Sequence, residues 1–513
     1  MRAFSTVMAS LVLGGIAAPS AAAVPRQGTA TAPKDPPASY YFLLGRHLED
    51  LEKFEDAIAA HKKAIELAPE SAELRAELAA LYARQDRARE ALDTAEAALQ
   101  RDPNNREANR ILGTVYAALT DQRRPFRPGD DPAKYAAKAI AALEKSRREA
   151  GFDINLELML GRLYLNARDY AKATLSLRRL VDDQPGYPEG AMLLAAAQEG
   201  AGQTDDEIAT LETTVENNPS FYRAHLRLAE LYERQRRFTD AAAAYAHAAE
   251  ANSRIDVSSQ RAAALINAGK AAEARDILQA LVQKTAAPGA GVLYMLGQAQ
   301  RTLKDSDAAA ATARKLKAAF PEDPRALYLE AQLMRDSGRT AEAVTAFETL
   351  MKRTPEDASL AYEYASLLER AGRVADAERA LRDVLAKDPL DANALNSLGY
   401  LLADHGQRLD EAVDLVQRAL TIEPANPSFL DSLGWAYFHQ GKLELADAPL
   451  TKAAGQLPKS STVHEHLGDL RVKQERFADA VAAFERSLAG DGESIDRAKV
   501  EKKIRDARLR VKK

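Results

Sequence analysis

The run VHEHLGD brings His464, Glu465, His466 and Asp469 close together, and imidazole and carboxylate are the side chains that zinc takes as ligands. On a helix, however, His464 and His466 stand at i and i+2 and point apart, so one ion cannot be held by both without help from elsewhere. The expectation is therefore structural or solvent-facing histidines, with no metal and no cofactor. A metal-dependent enzyme built on the His464/His466 region is the alternative of another class, and the spacing does not support it. Other reactive groups are scarce. The chain contains no cysteine, which removes thiolate nucleophiles, disulfides and Cys-ligated zinc. Phosphate-loop spacing, a G-x-S-x-G elbow and H-E-x-x-H are all absent, and Gly434 to Gly441-Lys442 has the wrong interval for a phosphate loop. The chain reads as non-enzymatic.

The elements that carry these residues repeat. Leu430, Leu433, Gly434 and Tyr437 fall at i, i+3, i+4 and i+7, one face of a helix, and Ala446, Leu450, Ala453 and Pro458 follow at fixed distances. Stepping back 35 residues gives Leu398-Gly399 and Leu402, and stepping back 34 gives Ala412, Val416, Ala419 and Pro424, the difference being one extra residue in the turn between. Leu78-Ala79, Tyr82, Ala91, Ala98 and Pro103 make another copy, as do Leu160-Gly161, Tyr164, Ala173, Leu177 and Pro185. Gly434 inside a helix costs roughly 0.5–1 kcal/mol relative to alanine, so a close packing partner is expected there. Pro458 cannot continue a helix and closes the unit.

This pattern resembles the tetratricopeptide repeat, two antiparallel helices with small residues at slots eight and twenty and a closing proline. The resemblance implies an all-α, right-handed superhelical solenoid. By the register, thirteen repeats begin near Ala38, Ala72, Arg106, Ile154, Pro188, Tyr222, Ile255, Ala290, Pro324, Ala358, Ala392, Pro427 and Ser461. They place the array at residues 38–490, followed by a capping helix at 491–513. Residues 188–289 are irregular: Gln198 and Glu207 occupy slots usually apolar or small, and the seventh repeat lacks clean spacing, so a local bend is expected there. An apolar fraction of 46% is enough for a continuous core between helices.

The resemblance also implies that slots five, nine and twelve of each first helix line a concave groove. Tyr294, Tyr328 and Tyr362 occupy slot five of three consecutive repeats and are expected to stack as a ladder, with Arg301 and Arg335 seven residues after the first two. Further along come Asn396, Asp431, Glu465 and Asp469, so the wall turns acidic. Trp435 and Phe438 form an apolar pair on the Asp431 side. These residues make up the candidate groove; packing between repeats is the competing account of the aromatics. The carboxylate clamp of Lys, Arg and Asn found in some members of the family is not matched here, where acids occupy those slots. The expected partner is a peptide or helical segment with apolar and basic side chains, bound along residues 290–470. An assembly factor for envelope polysaccharide export or outer-membrane machinery is the alternative within binding proteins, and it rests on analogy.

Three further segments stand outside the repeat pattern. Residues 1–23 carry Arg2, an apolar run from Val7 to Ala18 and the A-x-A site Ala21-Ala22-Ala23, the pattern of a secretory signal cleaved after Ala23. The expectation is an exported, periplasmic, soluble protein with residues 24–37 as a flexible linker. Residues 120–134 lengthen the third repeat's turn, where Arg123, Arg124 and Arg127 surround Phe126; a solvated turn and a dock for an anionic partner are the two readings. At the C-terminus Val500, Ile504, Ala507 and Val511 form an apolar stripe beside Lys502, Lys503, Arg505, Arg508 and Arg510, as a solenoid cap requires. The formal charge of −5, or −6 once Arg2 is lost, is too mild to call for nucleic acid. Membrane contact is not favoured.

Overall fold

The computed structural model describes residues 36–120, 131–148, 152–354, 356–492 and 495–511. The expected export signal, almost all of the expected linker, and Arg123, Arg124, Phe126 and Arg127 lie outside the described residues. Among the described residues there are twenty-seven helices and no strand, as expected of an all-α repeat protein. First helices begin at Ala38, Ala72, Arg106, Ile154, Pro188, Tyr222, Ala290, Pro324, Ala358, Ala392, Pro427 and Ser461, and each has 13 residues, for example Pro427–His439. The seventh is the exception, a helix of 10 residues that begins at Ser258. Its N-cap is Val257, which offers no side-chain acceptor, whereas Ser71, Asn105, Asp153, Asp391, Asn426 and Ser460 each accept an orphan backbone N–H.

The described residues fall into two compact bodies that divide after Thr210. Within each, a first helix packs on its own second helix, that second helix packs on the first helix of the next repeat, and in some repeats consecutive first helices also touch. In the N-terminal body Ala72–Arg84 touches Ala88–Arg101 and Arg106–Ala118; in the C-terminal body Ala392–Asp404 touches Leu409–Ile422 and Pro427–His439. The largest hydrophobic cluster runs from Ala331 to Ala436 around Phe347, Leu368, Leu395 and Leu398, all fully buried. Neighbouring repeats thus share one core.

Gly434 has the packing partner its cost calls for. A Cβ there would lie 2.5 Å from Leu450 Cγ and 3.2 Å from the Ala446 carbonyl oxygen, both on the second helix Leu443–Gln456. At Gly399 a Cβ would meet Val416 at 2.5 Å and the Ala412 carbonyl at 3.0 Å, which is the same contact one repeat earlier. Small residues at slots eight and twenty therefore set how closely the two helices approach. The turn between them takes one residue into the left-handed region, supplied by Gly338, Gly372 and Gly441. In the eleventh repeat, which has the extra residue, both Gly406 and Arg408 have positive φ.

The last helix, Arg497–Val511, lies on Phe477–Ala489, where Val500, Ile504 and Ala507 are buried against Ala480 and Phe484. Val511, the fourth residue of the expected stripe, is 51% exposed, so the stripe runs past the surface it covers. Among the described residues no helix is long and apolar enough to cross a membrane.

Candidate partner-binding face

Two of the three slot-five tyrosines stack. The rings of Tyr294 and Tyr328 have centroids 6.3 Å apart at an interplanar angle of 27°. A second rung runs beside them: Gln298 Nε2 donates to Gln332 Oε1 at 2.7 Å and to the Tyr294 hydroxyl at 2.6 Å. The hydroxyl of Tyr328 donates to Glu363 in the next repeat, and that of Tyr362 donates to Asp391. Burial, followed by the bond to Glu363, pushes the Tyr328 phenol far above its usual range, so it stays a donor. All three tyrosines are half-buried, and they form a continuous first-helix surface by linking one repeat to the next.

The expected basic stretch is neutralised. Arg301 Nη1 donates to Asp336 Oδ2 at 2.9 Å, and Arg335 Nη1 donates to Glu363 Oε2 at 2.9 Å. Each guanidinium reaches an acid about one repeat further on. This corrects the reading of the wall as basic at this end: it is aromatic and internally charge-paired, which leaves less net field to attract an anionic segment.

Trp435 is packed between repeats. Its ring is 7% exposed and stacks on Phe438 at 4.8 Å and 4° and on His466 at 3.9 Å and 14°. The indole Nε1–H donates to Asp404 Oδ1 at 2.9 Å, so Trp435 joins the first helices of the eleventh, twelfth and thirteenth repeats. His466 Nδ1 lies 3.0 and 3.1 Å from the carboxylate oxygens of Asp431, which is itself 6% exposed. Burial works against a charged imidazole, but Asp431, with Asp469 and Asp404 behind it, outweighs burial and raises the His466 pKa. His464 turns the other way, with Nε2 3.2 Å from the Pro458 carbonyl oxygen. The two histidines thus point apart. Asp431 and Trp435 are correspondingly removed from the surface a partner could touch, while Phe438 remains half-buried.

The acids of the last repeat already have a partner. Lys503 Nζ, on the helix Arg497–Val511, lies 2.6 Å from Glu465 Oε1 and 2.6 Å from Asp469 Oδ2. Glu465 and Asp469 occupy slots five and nine, so the chain fills this part of its own first-helix face. Their place in an open groove is corrected accordingly.

The neighbouring surface is open. A cavity of about 520 Å³ is lined by Tyr362, Glu369, Asn396, Tyr400, Asp404 and, from the segment ahead of the last helix, Ile495. The Asn396 side-chain oxygen is buried without a hydrogen-bond partner. Glu369, Tyr400 and Asp404 were not singled out by the sequence reading. The signal for them is the register itself: Glu369 and Asp404 lie 35 residues apart, one repeat plus one, at the ends of consecutive first helices.

Comparison with known proteins agrees with this architecture. One family model, described as tetratricopeptide repeat, matches residues 158–212, 201–254, 260–324, 328–380 and 365–428, together just over half of the chain. A second with the same description matches residues 48–116. A TPR repeat-containing protein of Pseudomonas aeruginosa is 43% identical over 76 residues, which are 15% of this chain and 13% of that protein's length. Among solved structures, a tetratricopeptide repeat protein from Parabacteroides merdae gives a TM-score of 0.42 at 17% identity, covering 49% of this chain and 97% of its own. Yeast Tom70 gives 0.37 at 15% identity, covering 93% and 96%. With the repeated helix pairs and the matches along its length, this chain belongs to the tetratricopeptide repeat family.

Proposed function

We infer that the protein is a non-enzymatic interaction scaffold that holds a peptide or helical segment of a partner protein against the first-helix face of residues 290–470. The observation that carries this reading is Lys503: the last helix, seated by its apolar stripe on Phe477–Ala489, extends one lysine between the slot-five and slot-nine acids of the neighbouring first helix. The same face of the preceding repeats offers Tyr294, Tyr328, Tyr362, Phe438 and the cavity beside Glu369 to a segment supplied by another protein. Half-buried aromatics with fixed hydroxyls bring apolar area at small entropic cost, and the acids there favour a segment with basic side chains. Many weak contacts along such a face add up without any deep pocket.

Export to the cell envelope, with cleavage after Ala23, is part of the proposal and is supported by the composition of residues 1–23. N-terminal sequencing of the protein recovered from its native cells tests it; a chain beginning at Met1 rejects it. For the binding face, the test is a Tyr328→Ala/Phe438→Ala double variant, confirmed as helical by circular dichroism. Loss of a partner that co-purifies with the wild type supports the site, and unchanged retention rejects it.

A further inference from the structure

We propose that Glu369, Asp404 and His405 form a binding site for a divalent transition-metal cation of the zinc class. One ligand atom from each of the three side chains lies within 4.8 Å of the other two, and His405 Nε2 is 3.7 Å from Glu369 Oε1. Ligand atoms around tetrahedral zinc stand roughly 3.3 Å apart, given bonds of about 2.0–2.1 Å, so small side-chain rotations close the set. The mixed ligands decide the class of ion. Two carboxylates alone would suit calcium or magnesium, but an imidazole among them favours zinc and its late first-row neighbours over those hard cations.

The surroundings are those of a cation site in three independent respects. Glu369 lies in the last turn of Ala358–Arg370, and Asp404 ends Ala392–Asp404 with His405 as its C-cap, so the negative ends of two helices converge on the same place. Asp404 is held from outside by the Trp435 indole N–H at 2.9 Å, the kind of orienting bond that metal-ligating carboxylates carry. The cavity of about 520 Å³ opens on Glu369 and Asp404, and the buried, unpartnered oxygen of Asn396 lies in its lining. Three protein ligands leave a coordination position for water or for a group brought by a partner. The ion would also join the tenth repeat to the eleventh.

Trp435, the chain's only tryptophan, touches a proposed ligand and reports on the site. Untagged protein freed of metal by chelation is titrated with Zn²⁺ while Trp435 emission and binding heat are followed, with Ca²⁺ as the comparison ion. The proposal predicts one zinc per chain, a saturable change in Trp435 emission at the same stoichiometry, and at least tenfold weaker binding of Ca²⁺. Glu369→Gln and His405→Gln each weaken zinc binding at least tenfold while leaving the metal-free melting curve in place. Trp435→Phe, read by calorimetry, weakens it about tenfold through the lost bond to Asp404. Absence of binding overturns the proposal. So does undiminished binding in the Glu369→Gln/His405→Gln double variant, which would put the zinc elsewhere.

Discussion

Lys503 Nζ lies 2.6 Å from Asp469 Oδ2, across 34 residues of sequence, and this contact fastens the last helix to the repeat array. Burial holds the Asp469 carboxyl above its ordinary range even with the ammonium beside it, so the pair is partly withdrawn from water. Lys503→Ala leaves Glu465 and Asp469 facing each other without a counter-charge, and about 1–2 kcal/mol of stability is expected to be lost. Urea denaturation measures it. Asp469→Asn in the Lys503→Ala background should recover part of the loss, because it removes the repulsion.

Asp447 and Arg471 make a second, partly buried ion pair with a distinct acid dependence. Arg471 is 6% exposed; it donates through Nη2 to Asp447 Oδ1 at 3.1 Å and to Thr451 at 2.9 Å. The bond from Arg471 draws the Asp447 carboxyl down from 3.8 to about 2. A depressed folded-state pKa means that the contribution to stability is complete above the unfolded value and fades as pH falls from about 4 to 2. Asp447→Asn is expected to lose about 1–2 kcal/mol at neutral pH and to show a shallower acid transition between roughly pH 4 and 2 than the wild type. Thermal melts across that range check both parts.

Gly434→Ala sets helix propensity against packing. Alanine gains up to about 1 kcal/mol of propensity, but its Cβ would come within 2.5 Å of Leu450 Cγ. Leu450 is fully buried and has no open space to move into, so overpacking wins and a net loss of about 1–2 kcal/mol is expected. A companion Leu450→Ala change should cost less in the Gly434→Ala protein than in the wild type. Equal costs in the two backgrounds would separate the residues.

The repeat was legible because it is written in residue size. Gly434 with Ala446, and Gly399 with Ala412, carry the helix spacing in the sequence itself, so the unit length and nearly every first-helix start follow from one helix pair. The seventh repeat, whose spacing is not clean in the sequence, departs from the register: its first helix starts at Ser258, three residues after Ile255. The face was only partly legible, for a related reason: slot positions describe one repeat, whereas exposure is set by the next. Trp435 reads as a groove residue until His466, 31 residues on, stacks over it. Arg301 and Arg335 read as basic until Asp336 and Glu363 neutralise them. Glu465 and Asp469 read as an open acidic wall until Lys503 arrives from the last helix. In each case the deciding partner stands about one repeat away.

The most direct test of the scaffold reading is crosslinking mass spectrometry of the protein with an envelope extract from its native cells. A photoreactive residue is placed at Ser366 on the first-helix face, with Glu378 on a second helix as the comparison. The account predicts crosslinks from Ser366 to one recurrent protein, at a segment with apolar and basic side chains, and accompanying lysine crosslinks within residues 290–470. Crosslinks that favour Glu378, residues 120–134 or the last helix would contradict it, and would make the tyrosine face a device for joining repeats and nothing more.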